Sequence, residues 1–183
     1  MADPVPVVFV GGSTGTWRVV RIEPAVGSTL PLVERIAVYQ GVVATLSSES
    51  GWALRGVTGH QRYVERREKE ALDAVQPPLG REQATCAALI PIRKSAAWWE
   101  LAQDERRAIF ETRSRHVADS MRYLPAIARR LYHSRELGEP FDFLTWFEYA
   151  PKYAALFEEL VLMLRSREEW TYVEREVDIR LAR

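Results

Sequence analysis

Cysteine is almost missing from this chain of 183 residues: Cys86 stands alone. One thiol excludes an intrachain disulfide and any metal or iron–sulfur site built from several thiolates. An excess of charge is also missing. Lys and Arg number 25, Asp and Glu 25, so the formal charge is 25 − 25 = 0, and nothing in that balance calls for nucleic acid. Long apolar runs are absent too. Those at 5–10 and 86–92 fall far short of the roughly 20 residues that a membrane-spanning helix needs. The opening MADPVPVVFVGG has no Lys or Arg before its short apolar stretch, so it does not read as a secretion signal and a cytoplasmic location is expected. Gly11 to Gly15 lack the lysine of a phosphate-binding loop and do not match the dinucleotide fingerprint. There is no HExxH, and no Ser/His/Asp or Cys/His grouping stands out. What is present, 47% hydrophobic and 27% charged residues, is the composition of one globular domain able to bury a core.

The elements read as a mixture of strands and helices. Trp17–Ile22 and Trp52–Val57 are rich in β-branched and aromatic residues and read as strands, with a turn at Gly11–Gly15. The stretch 31–45 fits a helix or a strand equally well. Tyr63–Val75 reads as a helix ended by Gln76-Pro77-Pro78-Leu79-Gly80. Thr85–Ile92 reads as an interior strand with Pro91 at its end. A helix over Glu105–Met121 follows. Ala126–Ser134 and Phe141–Tyr149 then form a hairpin with a longer loop. Lys152–Arg165 is an amphipathic helix, and the alternating Trp170–Leu181 closes the sheet. The second half thus runs β-α-β-β-α-β, a ferredoxin-like split unit, and the first half (β-β-α) looks like an incomplete copy. The fold class is α+β. Helices on one face of an antiparallel sheet leave the other face to be covered, and that face is a place for a ligand.

Three features suggest chemistry. Alternation along the hairpin puts Arg129 on one face with Ile127 and Leu131, and Phe141, Phe143, Thr145 and Phe147 on one face of the next strand. An arginine among apolar residues is either a structural ion pair at a sheet edge or an anion site in an apolar pocket. His116 borders the apolar stripe of its helix, where a histidine is either a satisfied core residue or a ligand. His60 and His133 read as surface residues. Lys94, before Trp98 and Trp99, suits the acidic edge of an apolar cofactor, although paired tryptophans also serve as plain core. The adjacent carboxylates Glu158-Glu159 and Glu168-Glu169 read as solvated faces.

Taken together, ALIPIRKSAAWW, the helix with His116, RRLYHSRELGEPFDFLTWFEY and LRSREEWTYVERE resemble the chlorite dismutase family. The resemblance covers mostly 88–183, and the short length is like the dimeric, N-terminally truncated clade. It implies one domain over 1–183, made of a truncated half (1–83) and a complete haem-binding half (84–183), in a dimeric α/β barrel. It also implies haem b as cofactor, chlorite as substrate, chloride and dioxygen as products, and a homodimer with no nucleic-acid or membrane partner. By the resemblance His116 is the proximal iron ligand. Arg129, thirteen residues later, is the distal arginine that holds chlorite and hypochlorite. Lys94, Trp98 and Trp99 wall the haem, Thr145 and Phe147 lie in the distal pocket, and Tyr63 approaches a propionate. Glu169 bonds the outer nitrogen of His116, with Glu168 as the adjacent alternative. No histidine is matched to the distal side, which favours chlorite, needing no proton relay, over peroxide. Rival readings are a coprohaem decarboxylase, disfavoured by Arg129, a peroxidase-like haem enzyme, and a haem-binding barrel without turnover.

Overall fold

The computed structural model describes residues 4–41, 51–58 and 65–183. Its eight strands are β1 (Pro6–Gly12), β2 (Trp17–Val26), β3 (Arg35–Gln40), β4 (Trp52–Val57), β5 (Cys86–Lys94), β6 (Ile127–His133), β7 (Phe143–Tyr149) and β8 (Val173–Ala182). They close into one barrel in the order β1-β3-β2-β8-β5-β7-β6-β4, with every pairing antiparallel. Each half contributes four neighbouring strands, and within each half the spatial order is fourth, first, third, second. The seam between β2 and β8 is long, whereas β4 and β6 meet at one pair, Val57 with His133.

Strand alternation decides what faces where. Ala87 and Leu89 of β5 point into the barrel with Phe9, Trp17, Leu54, Trp146 and Ile179. Ala88, Ile90 and Ile92 point outward, where α5 (Ala154–Arg165) covers them with Phe157, Leu160, Val161 and Leu164. The inner core is tied by aromatic contacts: Trp146 lies 5.4 Å from both Phe9 and Trp17. The sheet face without helices is therefore packed solid. The expectation of a ligand there is overturned, because the bare faces of the two half-sheets bury each other across the barrel.

Several further expectations need correction. The first half has four strands, not two; β1 runs through Gly11 and Gly12, and β3 occupies part of the ambiguous stretch. The link from β1 to β2 crosses the end of β3, and Gly15 makes the crossing at φ 136° with its Cα hard against the Ile36 backbone, where a Cβ would collide. Pro91 lies inside β5, opposite Leu144 of β7, and the β8 ladder skips it. Phe141 precedes β7 and joins the inner core, apart from Phe143, Thr145 and Phe147. The helix expected over 105–121 is broken into α3 (Gln103–Arg107), a π-helical turn (Ala108–Arg113) and α4 (His116–Ser120), with Arg115 left-handed at φ 50°. The remaining helices are α1 (Arg66–Val75) and α2 (Ala96–Glu100). Among the described residues, no helix is long and apolar enough to cross a membrane.

The outer face of β8 carries charge under the end of α5. Arg165 bonds Glu176 and Asp178, and Arg180 bonds Asp178 and Glu158. Burial works against ionising Asp178, but hydrogen bonds and charge from Arg180 and Arg165 outweigh it, so its carboxyl sits below the ordinary aspartate value. A depressed folded-state value gives stability that is complete above the ordinary value, about 4, and is lost as pH falls toward the folded one. Asp178→Asn should cost about 1–2 kcal/mol at neutral pH, because Arg165 and Arg180 each lose one of two carboxylate partners and keep Glu176 and Glu158. It should also flatten the acid limb of a plot of urea midpoint against pH; an acid limb with the parent's slope would show that Asp178 does not contribute to it.

Candidate active site

A cavity of ≈ 290 Å³ opens between the outer face of the second-half sheet and the helices that cover it. β5 supplies Ile90, Ile92 and Lys94, β6 Arg129 and Leu131, and β7 Phe143, Thr145 and Phe147. The helical side supplies Trp98, Phe110, His116, Val117, Glu169 and Trp170. Most of this wall is apolar, with a few convergent polar groups, as in pockets for large organic ligands.

His116 opens α4, directly after the left-handed Arg115. Its Nδ1 lies 2.8 Å from Oε2 of Glu169, and Phe110 stacks on its ring at 4.3 Å with 22° between planes. Glu169 sits in a 3-10 turn (Glu168–Tyr172) just before β8, and that turn takes up the first three residues of the strand expected from Trp170. Its second oxygen accepts a hydrogen bond from Lys94 Nζ at 2.9 Å, and Lys94 also donates to the Glu169 carbonyl. Burial opposes ionisation of Glu169, but the charges of His116 and Lys94 and their hydrogen bonds bring its carboxyl down to about 2. An ionised carboxylate can only accept, so Nδ1 carries the proton, and Nε2 is the nitrogen left to meet a metal. Glu168, by contrast, is exposed and pairs with Arg113.

Arg129 is partly buried in the wall across from these helices, and among the described residues no carboxylate pairs with it. Burial pushes its guanidinium below the ordinary arginine value. Its carbonyl accepts a bond of 2.7 Å from Gln76 Nε2, at the end of α1. A cation with no counter-charge, in an apolar wall, suits an anion. It does not fit the structural ion pair left open from sequence.

The remaining site expectations divide. Lys94, Trp98, Thr145 and Phe147 line the cavity. Trp98 is 1% exposed, with Lys94 Nζ 4.6 Å from its ring centroid. The ammonium of Lys94 is committed to Glu169, which makes it part of the His116 support. Trp99 does not line the cavity: next along the helix from Trp98, it turns away, stacks behind Phe143 and donates to Asp142. Tyr63 and His60 lie outside the described residues. His133, read as a surface residue, is 6% exposed and lines the cavity. The period of two that placed Arg129 puts His133 on the same face, so the signal was there. A histidine does therefore stand in this wall, contrary to the sequence expectation. Gln76 and Trp170 were also missed; Trp170 is held by its Nε1–H donating to Glu176 at 2.7 Å.

Comparison with known proteins bears on the whole chain. A sequence profile described as chlorite dismutase matches residues 35–183. A structure of the dimeric chlorite dismutases from Nitrobacter winogradskyi is 61% identical, with TM-score 0.89, covering 97% of this chain and 99% of that one. A mutant chlorite dismutase from Candidatus Nitrospira defluvii, 21% identical with TM-score 0.71 over 98% of this chain and 91% of its own, shares the fold. The curated chlorite dismutase of Ideonella dechloratans is 39% identical over 62 residues, a stretch spanning 34% of this chain and 20% of that relative. With a profile match over most of its length and a near full-length relative, this chain belongs to the chlorite dismutase family.

Proposed function

We propose that the protein is a haem b-dependent chlorite dismutase, converting chlorite to chloride and dioxygen. The observation that carries this reading is one cavity that brings together His116, oriented through Nδ1, and Arg129, which among the described residues has no carboxylate partner. The donor set fits a haem: an imidazole held through Nδ1 with Nε2 left to meet iron, apolar walls for a flat macrocycle, and, among the described residues, no set of thiolates or histidines for another metal. Among the described residues, no group of His, Cys, Asp and Glu side chains could hold a metal ion without such a cofactor.

Bound haem would supply the iron centre through which an oxygen atom leaves chlorite. The protein's part lies in orientation, charge and dryness. Glu169 orients the His116 ring and raises its basicity, and Lys94 holds Glu169 in place. Arg129 attracts chlorite and retains hypochlorite until the O–O bond forms; being permanently charged, it works as an electrostatic group and not as a base. The buried Phe147 keeps water away and so strengthens that attraction. Thr145 and Trp98 are proposed to contact the cofactor, as is Tyr63 on the family likeness. Trp99 is proposed to support the wall from behind Phe143.

The two four-stranded halves, 1–83 and 84–183, are read as ferredoxin-like units of one domain. Working as a homodimer is proposed from the Nitrobacter relative, which is described as dimeric. The test is reconstitution with haem, an absorption spectrum, and an oxygen electrode with added chlorite. A Soret band with one dioxygen evolved per chlorite is expected. A loaded protein that evolves no oxygen would leave only a haem-binding barrel.

A further inference from the structure

We infer that Glu111 is a positioning residue for His116, acting on the backbone of the turn that carries the imidazole; this rests on His116 being the iron ligand. The helix α4 has 5 residues and begins at His116 itself. A helix this short is not stable alone, and its first N–H groups have no partners within it. Arg115, at the cap position, has no side-chain cap bond. Both oxygens of Glu111 fill the gap: Oε2 accepts from the Val117 amide at 2.7 Å and Oε1 from the Ala118 amide at 3.2 Å.

A side chain reaches amides six and seven positions ahead only because the preceding turn is wide. Ser114 N bonds Ile109 O at 3.0 Å, five residues back, and Arg115 N bonds Glu111 O at 2.8 Å before the chain turns left-handed. The same π-helical turn presents Phe110 to the face of the imidazole. Adjacent residues thus hold the ring (Phe110) and its peptide (Glu111). Glu169 holds Nδ1 from another element, so the imidazole is constrained on three sides. π-helical turns are uncommon and recur at functional sites, which agrees with this use.

The experiment compares the parent, Glu111→Gln and Glu111→Ala. In the haem-free proteins, hydrogen exchange at the Val117 and Ala118 amides reads the cap directly. Glu111→Ala should speed both by about tenfold or more, and Glu111→Gln, with one oxygen in place of two, should release one of them. In the loaded proteins, Glu111→Ala should speed haem transfer to apomyoglobin roughly tenfold, in keeping with the loss of an outer support of a metal ligand. It should also shift or broaden the ferrous iron–histidine stretching band, a readout that a merely structural residue would not move. Should the alanine variant fail to fold, the glutamine variant carries the same comparison. Lost amide protection with an unmoved band and the parent's transfer rate would overturn the inference alone. A loaded parent with no iron–histidine band would overturn the ligand reading, and this inference with it.

Discussion

His116→Ala should leave the protein unable to hold haem: the Soret band is lost on gel filtration, and affinity falls by more than about 10²-fold. That bound follows because removing an outer partner of a metal ligand already costs 10- to 100-fold, and the ligand itself must matter more. The cavity would keep its apolar walls, so weak hydrophobic uptake of porphyrin should survive without an axial nitrogen bond. Misfolding is not expected to mimic this result. Glu169 keeps Lys94 as its ionic partner, and the cores inside the barrel and under α5 do not depend on His116. The decisive arm is chemical rescue. His116→Gly leaves a space the size of the ring beside Phe110, and added imidazole should restore the axial bond and the parent's spectrum. A variant that keeps full haem occupancy with no added imidazole would remove His116 from the role.

Arg129→Ala should retain haem but lower chlorite turnover by roughly tenfold to 10²-fold. A charge-assisted hydrogen bond is worth about 1.5–3 kcal/mol, and each 1.4 kcal/mol is a factor of ten in rate. The second signature is escape of hypochlorite, caught by a chlorination trap and visible as faster bleaching. Among the described residues no carboxylate pairs with Arg129, so its field is available to an anion that enters the cavity. Arg129→Lys separates charge from shape. Lysine keeps the charge but not the planar fork, so it should recover entry of the anion more than its retention. If the alanine variant leaks no more hypochlorite than the parent, retention belongs to another group, and His133, on the same strand face, is the first to examine.

Much of this site was legible before the fold was known. The period of two along β6 and β7 put Arg129 with Phe143, Thr145 and Phe147, and His133 belongs to that series as well. It was passed over because an isolated histidine carries no pattern of its own. The choice between Glu168 and Glu169 could not be read from sequence. Adjacent residues in a 3-10 turn point in different directions, and only the packing of that turn on α4 shows which one meets His116. Trp98 and Trp99 part in the same way, one to the cavity and one behind Phe143.

By itself the sequence determined the strand and helix order of the second half, the amphipathic α5 and the likeness to a haem family, because periodicity and capping are properties of neighbouring residues. Tertiary structure alone decided that the barrel closes within one chain, that its inside is solid, and that the cavity lies on the helical side. It also decided that the helix before His116 breaks into a π-helical turn, from which Phe110 and Glu111 reach the ligand. These outcomes depend on contacts such as β1 with β4, β2 with β8, and His116 with Glu169. The partners lie far apart along the chain, and the burial that rewards them is not written in any local pattern.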